Sequence, residues 1–162
     1  MDTRNKILPL GPLALKLTEH KNRKERIVLA NGCFDVLHVG HARYLEAARR
    51  EGDVLVVAIN SDHSVRSLKG EGRPILSAEA RARLVAGLAA VSYVVIFEEP
   101  DVARLISILG PDVHAKGTDY TADTVPERET ARRLGVRIAI VGDPKQHSTR
   151  DLLARLRTVS HA

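Results

Sequence analysis

The chain has 162 residues, 44% of them hydrophobic, which suits one domain around one core, and no run approaches the roughly 18 uninterrupted apolar residues of a membrane-spanning helix. Its single cysteine, Cys33, excludes an internal disulfide and a cysteine-built metal site. Twenty-five basic against 20 acidic residues give a net charge of +5, but only 3% of residues are aromatic, too few for the stacking platforms of single-stranded nucleic-acid binding, so the charge is expected to serve small anions rather than nucleic acid or a membrane.

Residues 1–25 read as a tail with a short helix near 12–21, followed by a domain over 26–162. Pro9, Gly11 and Pro12 break the apolar stretch from Ile7 to Leu17 and no small-residue cleavage site comes after it. The stretch therefore does not read as a secretory leader, and a cytoplasmic location is expected.

Residues 26–41 read RIVLANGCFDVLHVGH. Ile27 to Ala30 has no polar break, as in a strand buried on both faces of a parallel sheet, and Gly32 then lets the backbone turn. A helix starting near His41, with Tyr44, Leu45 and Ala48 as its apolar stripe, brings the N–H groups of its first turn beside His38 and His41. The two histidines are three apart with Gly40 between them. They either grip one phosphate together or cap the helix and satisfy buried carbonyls.

The second strand, near 53–59, ends in Asn60-Ser61-Asp62, which delivers polar groups to the same sheet edge or caps a short helix over 64–68. In Leu68 to Pro74, Gly70 and Gly72 make a mobile loop that carries Lys69 and Arg73. It either closes on polyphosphate or is a solvated turn. Ser77 caps a helix over 77–89 whose expected buried stripe is Ala80, Leu84, Val85 and Leu88, leaving Arg81 and Arg83 off its centre, one of them facing the site.

A strand near 93–97 and a helix near 101–109 lead to a strand over 112–115 that ends in Lys116-Gly117-Thr118-Asp119-Tyr120. There the glycine permits close backbone approach and Asp119 can accept from ribose or sugar hydroxyls; an ordinary turn is the alternative. After a helix near 126–134 and a strand near 136–141, His147-Ser148-Thr149 opens the last helix near 148–157, as a second anion site or as a simple cap. Cys33 reads as small buried filler. The alternation predicts an α/β fold, a Rossmann-like doubly wound parallel sheet of about five strands with helices on both faces, whose ligands bind at the carboxyl ends of the strands where the order reverses.

The string G-x-F-D-x-x-H-x-G-H after a buried strand resembles the signature of the HIGH-motif nucleotidyltransferase superfamily, which includes cytidylyltransferases and pantetheine-phosphate adenylyltransferase. The series GCFDVLHVGH, INSD, LKGEGRPI, AEAR, KGTDY and HST resembles more closely the adenylyltransferase domain of bacterial ADP-heptose synthase, in its stand-alone form, without the sugar-kinase half. The resemblance implies transfer of an adenylyl group from ATP to D-glycero-D-manno-heptose 1-phosphate. His38, His41 and Lys69 would be catalytic. Gly32, Phe34, Gly40, Lys116, Gly117, Asp119, Ser148 and Thr149 would join the histidines in binding nucleotide, and Asp35, Asn60, Asp62, Arg73 and Arg81 would bind the sugar phosphate.

Magnesium is expected with ATP, although no acidic cluster identifies its ligands, and a homodimer or higher homo-oligomer is expected. Two departures stand out: Arg150 replaces the second threonine of the superfamily's last motif, and Asp143 to His147 replace the Arg-Thr-x-Gly-Ile of alcohol-phosphate cytidylyltransferases. The second departure counts against glycerol phosphate or choline phosphate. Alternatives are a cytidylyl- or adenylyltransferase for another phosphorylated alcohol or sugar and, in a different class, a non-catalytic nucleotide sensor or nucleic-acid-binding module.

Overall fold

Ile27, Val28, Leu29 and Ala30 are wholly buried in the computed structural model, which describes residues 2–144 and 148–160. They form the first part of β1 (Ile27–Gly32), which pairs in parallel with β2 (Val54–Asn60) on one side and β4 (Val113–Lys116) on the other. β3 (Tyr93–Phe97) joins outside β2 and β5 (Arg137–Ile140) outside β4, giving the parallel order β3-β2-β1-β4-β5. The five expected strands are all present. The winding reverses between β1 and β4, so the carboxyl ends of these two strands flank the crevice in which such sheets bind ligands.

Side chains alternate across β1, and each face finds its own helices. Val28 and Ala30 pack with Leu45 and Ala48 of α2 (Val39–Arg49) and with Ala82, Val85 and Ala86 of α4 (Ala78–Ala86). Ile27 and Leu29 pack on the other side with α1 (Leu10–Asn22), α5 (Ala103–Leu109) and Ala131 of α6 (Arg128–Leu134). α3 (Asp62–Lys69) comes after β2, starting two residues earlier than expected because Ser61 caps it, and α7 (Thr149–Ser160) is the last helix.

Two expectations change. The helix expected near 12–21 exists, but the first 25 residues are not a tail: Leu13 and Leu17, one turn apart on α1, are wholly buried against the sheet, and Ile7 bridges to Val94 of β3. On α4 the buried stripe is rotated, so that Leu84 is exposed and Arg81 is wholly buried in its place. No helix among the described residues is long and apolar enough to cross a membrane.

Candidate active site

At the carboxyl ends of β1, β2 and β4 opens a cavity of about 1100 Å³. Of the residues expected at a site, Gly32, Phe34, Asp35, His38, Gly40, His41, Asn60, Lys69, Arg73, Lys116, Gly117, Asp119, Ser148 and Thr149 line it, and Asp62 and Arg81 do not. His147 lies outside the described residues.

His38 is the N-cap of α2. Its Nδ1 accepts from the backbone N–H of Gly40 at 3.1 Å, and Nδ1 of His41 accepts from the N–H of His38 at 3.4 Å, a reciprocal capping box built from two imidazoles. The rings stack with centroids 3.9 Å apart and planes 25° off parallel, and Phe34 packs 5.2 Å from His41. Because Nδ1 accepts in both rings, each neutral imidazole carries its proton on Nε2. The capping reading is what the structure shows: one nitrogen of each ring caps the helix, and the opposite edge is a donor.

The backbone before this pair is strained. Phe34 and Val36 have φ of 49° and 60°, a left-handed conformation that bulky and β-branched residues rarely adopt. Asp35 between them secures it. Its buried carboxylate accepts from Arg73 Nε at 2.7 Å, from the N–H of Ile75 at 2.9 Å and from that of Leu76 at 3.0 Å, and its backbone carbonyl accepts from Thr149 Oγ1 at 2.8 Å. Burial alone would raise this carboxyl group's pKa, but the bonds from Ile75, Leu76 and Arg73 outweigh it and hold the group below its ordinary value.

The carboxylate of Asp35, expected to bind the sugar phosphate, is thus committed to the chain itself. For the same reason the far end of the glycine loop is already fixed by Arg73, which is ion-paired without any added anion. Gly70 and Gly72, at φ 93° and 78°, lie in open space at the loop's tip.

Arg81 likewise works behind the site. Its guanidinium donates to the carbonyls of Cys33 at 2.7 Å, Asn60 at 2.8 Å and Leu76 at 2.9 Å, and to Asp62 Oδ1 at 2.8 Å. One side chain therefore joins the ends of β1 and β2 to the segment before α4. Asp62 also accepts from the N–H of Ala78 at 2.7 Å. Both residues brace the rim where sugar-phosphate contacts were expected, because buried carbonyls at strand ends need donors and Arg81 supplies several from one position. Asn60 donates to Ser64 Oγ at 2.9 Å, and the thiol of Cys33 donates to its Oδ1 at 3.7 Å. Cys33 is half-buried on the cavity wall rather than core filler, and its burial raises the thiol pKa.

The opposite wall comes from β4 and the loop after it. Lys116 is buried, with Nζ 4.4 Å from the centroid of the Tyr120 ring; desolvation lowers its pKa, and Glu127, Asp119 and Asp101 counter part of that effect. A Cβ at Gly117 would come within 3.3 Å of Asp119 Oδ1, a tight contact that a small shift of that side chain would relieve. At the start of α7, Ser148 Oγ accepts from the N–H of Asp151 at 3.1 Å and Arg150 lines the cavity, so a cation stands where the superfamily pattern has its second threonine.

Sequence reasoning missed Asn31 and Glu127, which also line the cavity. Glu127 is buried, with Oε1 accepting from the N–H of Val102 at 3.2 Å. Asn31, a lone amide closing an apolar strand run, was the signal available for the first; Glu127 left none. Among the described residues no group of three histidine, cysteine or acidic side chains is arranged to hold a metal ion.

Residues 29–154 match a family model described as cytidylyltransferase-like. The chain is 44% identical over 155 residues to the bifunctional protein HldE of Pelobacter propionicus, covering 96% of this chain and 32% of that protein. It is 45% identical over 159 residues to the bifunctional protein HldE of Geotalea uraniireducens, covering 98% and 32%. The chain thus spans about a third of the length of the curated relatives it matches. Among solved structures it resembles the lipopolysaccharide core biosynthesis protein of Thermoplasma volcanium, with 28% identity and a TM-score of 0.65 over 75% of this chain and 99% of that one. It shares the fold alone with the pantothenate synthetase of Thermus thermophilus, at 20% identity and a TM-score of 0.58 over 88% and 63%.

Proposed function

We propose, from the premise that this chain belongs to the cytidylyltransferase-like family, that it joins ATP and D-glycero-D-manno-heptose 1-phosphate to give ADP-heptose and pyrophosphate, for lipopolysaccharide core or a related glycan. The observation that carries the reading is the stacked His38–His41 pair at the start of α2, directly beyond the carboxyl end of β1. The choice of substrate rests on the motif series that resembles the adenylyltransferase domain of ADP-heptose synthase, in keeping with relatives bearing the name HldE over nearly the whole chain. Action in the cytoplasm as a homo-oligomer belongs to the same reading.

In this reaction a phosphate oxygen of the sugar phosphate attacks the α-phosphorus of ATP. A new P–O bond forms, the bond from that phosphorus to the bridging oxygen breaks, and pyrophosphate leaves with the electron pair. The nucleophile is already anionic, so the protein's task is in-line positioning and charge stabilisation. The Nε2–H groups of His38 and His41 meet the charge that builds on the α-phosphate and the bridging oxygen, and a pre-set donor of this kind acts without reorganising.

Lys69 reaches over the triphosphate from the end of α3. Ser148 and Thr149 place the N-terminus of α7, with its dipole, against the β and γ groups. Lys116, Gly117 and Asp119 hold the nucleotide along the β4 wall, and Arg73, oriented by Asp35, faces the sugar phosphate with Asn60. Asp35, Asp62 and Arg81 act indirectly, by fixing the loops that carry these groups. Among the described residues no cluster of side chains fits a metal ion, so magnesium would come with ATP and would supply charge neutralisation at its phosphates.

A screen of nucleotides against sugar and alcohol phosphates, read by pyrophosphate release, tests the assignment. Release is expected with ATP and the heptose 1-phosphate together and with neither alone. Faster release from CTP and glycerol 3-phosphate would overturn it.

A further inference from the structure

Asn31 sits one residue before the end of β1, half-buried on the cavity wall. Beside it β4 places His114, wholly buried, with Nε2 3.0 Å from Asn31 Oδ1, and Lys116, with Nζ 3.5 Å from the same oxygen. An ammonium group only donates, so the amide presents its oxygen to β4, and the imidazole must donate to that oxygen through Nε2. With its oxygen engaged by β4, the amide keeps its nitrogen as a donor, on a residue that lines the cavity.

The other nitrogen of His114 shows what this arrangement costs. Nδ1 is buried and has no hydrogen-bond partner. Burial pushes the imidazole pKa down to about 3, so the ring is neutral and carries one proton, the one on Nε2. The neighbouring positions on β4 hold Val113 and Ala115, and an apolar residue at 114 would strand no polar atom. What the histidine adds is the bond to Asn31.

We propose that Asn31 is a further substrate-binding residue, donating through Nδ2 to a substrate phosphate oxygen, and that His114 is its positioning residue. Two observations point to phosphate as the ligand group. The Lys116 ammonium stands against the same amide, and β1 runs from Asn31 directly into the turn that carries His38 and His41. The phosphate belongs either to ATP or to the sugar 1-phosphate, and the inference rests on the nucleotidyl-transfer reading of the cavity.

The test compares Asn31→Ala, His114→Leu, His114→Gln and the double variant Asn31→Ala/His114→Leu for kcat, for KM toward each substrate, for calorimetric binding of ATP and of the sugar phosphate separately, and for melting temperature. Asn31→Ala and His114→Leu are expected to weaken the same single substrate by about 10-fold or more. The double variant should be no worse than Asn31→Ala alone, and His114→Gln, whose amide can still donate, should lie within a few-fold of the wild type. The substrate affected identifies the source of the phosphate. Additive losses, wild-type kinetics in His114→Leu with only a lower melting temperature, or loss in His114→Gln equal to that in His114→Leu would overturn the inference while leaving the transferase reading intact. A wild-type protein that turns over no nucleotide and sugar phosphate would instead remove that reading and the inference with it.

Discussion

Replacing His38 by asparagine and His41 by glutamine separates the two uses of each imidazole. Asparagine is among the best N-caps and glutamine serves at the third helical position of a capping box, so α2 keeps its start while the stacked imidazoles, with their Nε2–H edges, are removed. Each replacement is expected to cost about 10²–10³ in turnover with a melting temperature near that of the wild type, measured by a kinetic assay beside a thermal scan. Alanine at either position should add a drop of about 2–4 °C, from about 1 kcal/mol of lost capping. Near-wild-type turnover in the asparagine and glutamine variants would remove the histidines from the chemistry.

Asp35 makes a contrasting prediction because its carboxylate holds the chain rather than a ligand. Asp35→Asn should lower stability by about 2 kcal/mol at neutral pH, the scale of hydrogen bonds to a charged group. The folded carboxyl group titrates below its ordinary value of 3.8. The wild-type advantage is therefore complete above 3.8 and is lost as the pH falls through the lower folded value. Denaturant unfolding of both proteins across that range checks the sign. An advantage that grows toward acid would contradict it.

Lys69 at the end of α3 and Arg73 in the loop that leads to α4 are two cations with different attachments. Lys69 is exposed, whereas Arg73 is ion-paired to buried Asp35 at 2.7 Å. Lys69→Ala is expected to lower turnover by about 10- to 100-fold, as befits one lost charged donor, without changing the melting temperature. Arg73→Ala should lower both, because it takes the ionic partner from the buried Asp35 carboxylate and leaves it only the N–H groups of Ile75 and Leu76. Equal melting temperatures for the two variants would argue against a structural role for the Arg73–Asp35 pair. The strands are legible in the sequence because parallel strands buried on both faces read as unbroken apolar runs such as Ile27 to Ala30 and Val54 to Ile59. The inward face of α4 is not: helical periodicity favours burying Leu84 over Arg81, and only the position of three carbonyls at the rim, each in need of a donor, reverses that. α1 reads as part of a tail because Pro9, Gly11 and Pro12 punctuate its start, although the one-turn spacing of Leu13 and Leu17 carries the packing signal.

At the scale of the molecule, a five-stranded parallel sheet reverses its winding beside β1, and segments separated by more than 100 residues meet at that crevice, as Asp35 and Thr149 do. Most of the residues that the motifs single out line one cavity, because most of the motifs end a strand or begin a helix at the same sheet edge. The division between groups that face the cavity and groups that brace it is not, since Asp35 and Arg81 carry the same charges in either role and only three-dimensional partners assign them. The reversal, the paired histidines and the cations on the cavity walls are the features on which the proposed nucleotidyl transfer rests. Parallel reactions with ATP labelled on the α- or the γ-phosphate, in the presence of the heptose 1-phosphate, test that directly. The account predicts α-label in the sugar nucleotide and γ-label in pyrophosphate; γ-label on the sugar, or α-label that stays with free adenine nucleotide, would contradict it.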